Sequence, residues 1–155
     1  MIKVSKLADY AVVVLASLSQ SDAGQMTASG ISAATGLPEP TVAKVLKLLA
    51  KADLLQSARG ANGGYSLKSA PTEISIADII AAVEGPISLT ACVDGSASPC
   101  GYESRCAVKG RWNGVNHAIN AALQSVKLSD MNSQCLPREN GDLKAPAFAG
   151  EAGNR

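Results

Sequence analysis

The sequence predicts a mainly helical protein: a winged helix-turn-helix with a small β-hairpin wing, a cysteine-bearing loop and a long C-terminal dimerisation helix. Three observations predict it. Hydrophobic residues make up 46% of the chain but aromatics only 3%, so the core must be built from Ala, Val, Leu and Ile, which suits closely packed helices. Apolar residues recur at spacings of three and four in successive segments, interrupted by one short hairpin pattern. Three of the four cysteines fall in one Gly-, Ser- and Pro-containing stretch, Leu89 to Val108, whose composition builds a loop rather than a core.

At 155 residues the chain is long enough for one domain with a real core, or for a small domain and an oligomerisation element. No run approaches the roughly 18 to 20 uninterrupted apolar residues of a membrane span. The opening carries Asp9 and lacks a small-residue cleavage site. A soluble, cytoplasmic protein is therefore expected, with no membrane partner. In a reducing compartment, clustered cysteines point to metal ligands or redox groups rather than structural disulfides. The net charge is only +1, yet residues 40 to 68 hold five Lys or Arg against one Asp. That local basic patch has the right sign for a polyanion.

Ser5 is placed to cap a first helix, in which Leu7, Ala11, Val14 and Leu18 form an apolar stripe that Leu15 widens. Asp9 lies off that stripe and reads as a first-turn carboxylate favoured by the helix dipole. Thr27 to Thr35 predicts a short helix ending at Gly36. After Pro38-Glu39-Pro40 a second helix follows from Thr41 to Ala52, with Pro40 at its first position. These two helices and their tight turn make a helix-turn-helix. In the second, Val42, Val45, Leu46 and Leu49 share one side, while Lys44, Lys47 and Lys51 lie almost opposite. A lysine row is commonly just a solvated face.

The segment after this helix gives the lysine row a second meaning. Leu54 to Ser57 predicts a strand, Arg59 to Gly64 a loop, and Tyr65 to Leu67 a returning strand. A hairpin directly after a basic helix offers two probes on one side, the helix for a major groove and the wing for the adjacent backbone or minor groove. Thr41, Lys44 and Lys47 are the expected major-groove residues, with Pro40 near the same face. Lys51, Arg59, Asn62, Gly63, Gly64 and Tyr65 are expected at phosphate or the minor groove.

Ser75 is placed to cap a linker helix from Ile76 to Val83, with Ile76, Ile79, Ile80 and Val83 as its buried face and Gly85-Pro86 as its stop. Beyond the cysteine loop, a long helix is expected from about Ala107 to Lys127. Val108, Trp112, Val115, Ile119, Ala122 and Val126 form a coiled-coil seam along it. A stripe this regular at the end of a small domain is economically read as a homodimer interface, and such a dimer would read a double-stranded operator with two-fold symmetry. His117 lies off that seam and is expected to be exposed. From Ser129 the chain is polar and without period, which reads as a mobile tail holding Cys135, not expected to be a ligand.

Assembled in this order, KLADYAVVVLASL, ATGLPEPTVAKVLKLLAKADLL, RGANGGYSL, ISIADIIAAVEGP and the three-cysteine loop resemble the Rrf-two-type winged-helix regulators. That family includes the Isc and Suf iron-sulfur assembly repressors and nitric-oxide-sensing repressors, and the KLADYA opening looks most like the Suf-system regulators. The resemblance spans about Met1 to Lys127. It implies an iron-sulfur cluster, two-iron or four-iron, on Cys92, Cys100 and Cys106, for which thiolates are the favoured ligands. Zinc is the chief inorganic competitor, and a disulfide switch a weaker one. Some relatives place a histidine three residues after the third cysteine; here that position is Lys109, a poor ligand while protonated. Asp9 matches an acidic ligand that some nitric-oxide-sensing relatives supply from the partner subunit.

The expected organisation is thus 1–70 winged helix-turn-helix, 71–88 linker helix, 89–106 cluster-binding loop, 107–128 dimerisation helix and 129–155 tail. The expected function is a homodimeric DNA-binding regulator, a repressor of iron-sulfur assembly genes, with a nitric-oxide or redox sensor of the same family as the alternative. An iron-sulfur carrier would need no basic wing. A thiol- or metal-dependent enzyme has no support beyond the thiols, because paired catalytic carboxylates, a second histidine and a phosphate-binding glycine motif are all missing.

Overall fold

Helix α1 (Lys6–Ser19) is the post on which the other elements lean. Ser5 caps it, accepting from the Ala8 N–H at 3.2 Å, and Ala8, Ala11, Val14, Leu15 and Leu18 are buried along one side. The computed structural model describes residues 3–60, 63–94, 96, 100–101 and 105–132.

Helix α2 (Ala28–Thr35) is capped by Thr27 and ends at Gly36, whose φ of +73° is the left-handed conformation that glycine adopts without strain. Helix α3 (Glu39–Lys51) starts two residues earlier than its periodicity predicts, because Pro38 takes the N-cap position and Pro40 fits within the first turn. Val42, Val45, Leu46 and Leu49 of α3 join Ile31 and the α1 stripe in a single core. The helix closes through Asp53 at φ +66°, with the Leu54 N–H reaching back to the Leu49 carbonyl at 3.0 Å.

Strands β1 (Leu55–Ala58) and β2 (Gly64–Leu67) pair antiparallel, Leu55 opposite Leu67 and Ala58 opposite Gly64. This is the wing, and Leu55 anchors its base in the core. Helix α4 (Ile76–Glu84) begins with a capping box: Ser75 accepts from the Asp78 N–H at 3.1 Å and the Asp78 carboxylate accepts from the Ser75 N–H at 3.0 Å. The fold is the winged helix-turn-helix that the sequence predicts.

The C-terminal part departs from expectation in two places. The long helix is shorter: α5 spans Trp112–Ser125 instead of residues 107 to 127. Gly110, at φ +72°, turns the backbone off the helical path before it, and Val126 is extended after it. Val108 and Val126 therefore flank the helix instead of continuing its seam.

The second departure is at the expected tail. Leu128–Met131 forms a short helix, α6, with Leu128 fully buried in the core against α1. Two backbone bonds tie this return to the start of α4, Ile76 N–H to Val126 O at 3.0 Å and Leu128 N–H to Ile74 O at 2.9 Å. The Asn132 side-chain amide then donates to Ser19 Oγ at 2.6 Å. A single apolar residue in a polar stretch, given a vacant core position, suffices to dock it. Cys135 and the rest of the expected tail, 133–155, lie outside the described residues.

Candidate functional site

The exposed side of α3 carries Lys44, Lys47 and Lys51, with Pro40 exposed and Thr41 half-buried at its start. Among the described residues these three lysines make no ion pair, whereas Lys68 pairs with Asp53. Three uncompensated ammonium groups thus stand on the face opposite the buried valines and leucines. Arg59, exposed, lies at the end of β1, followed by Gly60 at φ +113°. Asn62 lies outside the described residues.

The wing glycines have a structural reason of their own. A Cβ on Gly63 would sit 2.6 Å from the Ala58 carbonyl oxygen, and one on Gly64 would sit 2.8 Å from that of Met26. Tyr65, expected at the nucleic acid, packs partly against the core and pairs with Ser57. Between the wing and the start of α2 runs a groove of about 460 Å³, lined by Thr27, Ser57, Arg59, Gly60 and Tyr65 among others. Thr27 Oγ1 accepts from the Gly30 N–H at 3.1 Å, and Thr27, Ser57 and Arg59 all border the one opening. Thr27 did not stand out in the sequence, since a Ser or Thr at a helix start is ordinarily just a cap.

The second cluster is the cysteine loop. Cys92, Cys100 and Cys106 are free and half-buried. Thr90 Oγ1 lies 3.2 Å from the Cys92 sulfur. Among the described residues no three His, Cys, Asp or Glu side chains form a metal-ready group, so within one chain neither the three thiols nor Asp9 with them make a finished site. Asp9 is exposed in the first turn of α1, and His117 is exposed on α5 as expected.

Two residues at this loop were not foreseen. Asn116, buried on α5, accepts from the Leu89 N–H and donates to the Ile87 carbonyl, both at 3.0 Å. One turn earlier, Asn113 accepts from the Asp94 N–H at 3.0 Å and donates to the Asp94 carboxylate at 2.7 Å. Two amides spaced three apart on a helix are a visible pattern, but nothing local says which backbone they hold.

On the α5 surface, Trp112 and Val115 are 41% and 45% exposed, flanked by Val108 at 47% and Val126 at 38%. These are large apolar side chains left exposed along α5 and at its two ends. No helix among the described residues is long and apolar enough to cross a membrane.

A family model described as Rrf2, iron-dependent transcriptional regulator, matches residues 4–134. An rrf2-like HTH-type transcriptional regulator of Rhodobacter capsulatus is 31% identical over 131 residues, covering 81% of this chain and 87% of that protein. The structure of CymR, the global cysteine regulator of Bacillus subtilis, superposes with a TM-score of 0.66 at 29% identity, covering 86% of this chain and 98% of that one. The T. potens IscR structure gives 0.62 at 31% identity, covering 84% and 85%.

Proposed function

From the premise that the chain belongs to the Rrf2 family of transcriptional regulators, we propose that it is a homodimeric repressor of iron-sulfur assembly genes controlled by a cluster on Cys92, Cys100 and Cys106. It is a DNA-binding transcriptional regulator and not an enzyme. The finer reading rests on one observation: a loop bearing three free thiols is clipped to α5, the helix that carries the exposed apolar stripe and packs on α4 of the DNA-reading head.

On an operator, α3 lies in the major groove with Thr41, Lys44 and Lys47 toward base edges. Lys51, Arg59 and the wing follow the phosphates, and the groove bordered by Thr27 and Arg59 takes one of them. The α5 stripes of two copies pack together and set the spacing of the two α3 helices. The donor set fits an iron-sulfur group, being soft thiols that are free and half-buried on an adaptable loop. The loop supplies three ligands, and Asp9 of the partner subunit completes the set. What the group supplies when bound is a removable tie between protomers, lost to oxygen, nitric oxide or iron shortage, which favours one orientation of the reading heads.

The test is a gel shift on the protein's own promoter DNA with loaded and stripped protein, beside anaerobic iron and sulfide counts on wild type and Asp9→Ala. State-dependent affinity and a cluster altered in the variant are expected. Equal affinity in both states overturns control by the cluster, and an unchanged cluster in Asp9→Ala removes that residue as a ligand. A second reading, a nitric-oxide or redox sensor acting through the same thiols, is favoured by the likeness to a cysteine regulator.

A further inference from the structure

Two sets of hydrogen bonds from α5 to the cysteine loop bracket one thiol. Asn116 grips the chain at Ile87 and Leu89, and Asn113 grips it at Asp94. Cys92 lies between these two clips, three residues after Leu89 and two before Asp94, with the Val93 side chain beside it buried. Cys106 is held from the other side: its carbonyl accepts from the Lys109 N–H at 3.3 Å, in the turn that leads into α5.

We propose that Asn113 and Asn116 are positioning residues that fix Cys92 relative to α5, so that two of the three thiols are set against one helix before any ligand arrives. Asn116 is suited to this because it is buried and both ends of its amide are used, so no water competes for its two backbone partners. Asn113 adds a bond to a carboxylate, which is stronger than one between neutral groups. Holding two ligands in place lowers the conformational entropy that binding must remove. Ligand capture then also pulls on the helix that holds the clips. The last step rests on the cofactor reading above; the positioning itself does not.

The experiment uses full-length apo protein and iodoacetamide, with the alkylation rate of each thiol followed by mass spectrometry. Asn113→Ala is the principal variant, since its side chain is not buried and the fold should survive; Asn116→Ala is the second. Cys92 should be alkylated roughly tenfold faster in Asn113→Ala, the scale of about 1.4 kcal/mol for lost hydrogen bonds to a charged group, while Cys100 is unchanged. Asn113→Asp alone should behave like the alanine variant because two carboxylates then face each other. Combined with Asp94→Asn, donor and acceptor are exchanged, both bonds re-form and Cys92 returns to its wild-type rate. Equal acceleration of Cys92 and Cys100, no acceleration, or no rescue by the exchange would each overturn the proposal. A parallel arm with ferrous iron and sulfide reads the final step: the Asn113→Ala protein should lose iron to a chelator roughly tenfold faster. If wild type takes up no iron and sulfide, the cluster reading falls, and the alkylation arm still decides the role of the asparagines.

Discussion

Met26 and Tyr65 exchange both backbone hydrogen bonds, Met26 N–H to Tyr65 O at 3.0 Å and Tyr65 N–H to Met26 O at 2.8 Å. The connector between α1 and α2 thereby forms a short third edge on the wing, and the wing cannot swing independently of the helix-turn-helix.

Gly64 is what allows that approach, because a Cβ there would lie 2.8 Å from the Met26 carbonyl oxygen. Gly64→Ala should cost about 1–3 kcal/mol by overpacking against backbone and weaken operator binding. Gly101→Ala, where nothing among the described residues lies within 4 Å, should change stability by less than about 0.5 kcal/mol. Urea denaturation of the two variants, with a common m-value, checks the contrast.

The lysines of α3 should separate by role. Lys51→Ala should weaken binding to operator and random duplexes alike and reduce the slope of log K against log salt by about 0.9. Lys44→Ala should also lose discrimination between the two, by about 1–3 kcal/mol. Titrations at several salt concentrations on both duplexes provide the measurement, and identical behaviour of the two variants would refute the assignment.

Val115 is 45% exposed at the centre of the α5 stripe. Val115→Glu should leave the fold of one chain intact while placing two like charges face to face in a dimer. Sedimentation should show monomers, and operator affinity should fall with them. A dimer unaffected by this charge would move the interface elsewhere.

Asp53 holds φ +66°, a left-handed conformation costly for a residue with a Cβ, and its carboxylate pairs with Lys68. Both partners are exposed, at 76% and 47%, so the pair is worth about 0–1 kcal/mol. Asp53→Gly should be neutral to stabilising, by less than about 1 kcal/mol, since relief of strain offsets the lost pair. Asp53→Ala keeps the strain, loses the pair and should destabilise. A melting temperature unchanged or raised in Asp53→Gly and lowered in Asp53→Ala would bear this out.

The parts of the fold legible in the chain are those whose cause is local. Ser5 and Ser75 cap the helices they were expected to cap, Gly36 ends α2, and the valines and leucines of α3 point into the core with its lysines outside. A helix stripe, a cap or a hairpin is specified within a few residues, so reading neighbours suffices. The seam of α5 was legible as a pattern but not in its length, because Gly110 had to be seen at positive φ before it could count as a break.

The site was read less completely. Its cysteines, lysines and wing could be named because their chemistry is in their side chains, whereas Asn113, Asn116 and the Met26 edge act on backbone far away in sequence. Leu128 looked like the end of a helix and is a core residue.

By itself, then, the sequence determined that helices α1 to α5 form, where the hairpin lies, and which side chains carry charge and sulfur, since each is dictated by spacing and residue type. Only the tertiary structure decided what those elements hold: that α6 returns to α1, that Met26 locks the wing, and that α5 grips the cysteine loop through two asparagines. Each of these is a pairing between segments remote in the chain, where a hydrogen-bonding group or an apolar side chain has many possible partners and only the packed arrangement selects one.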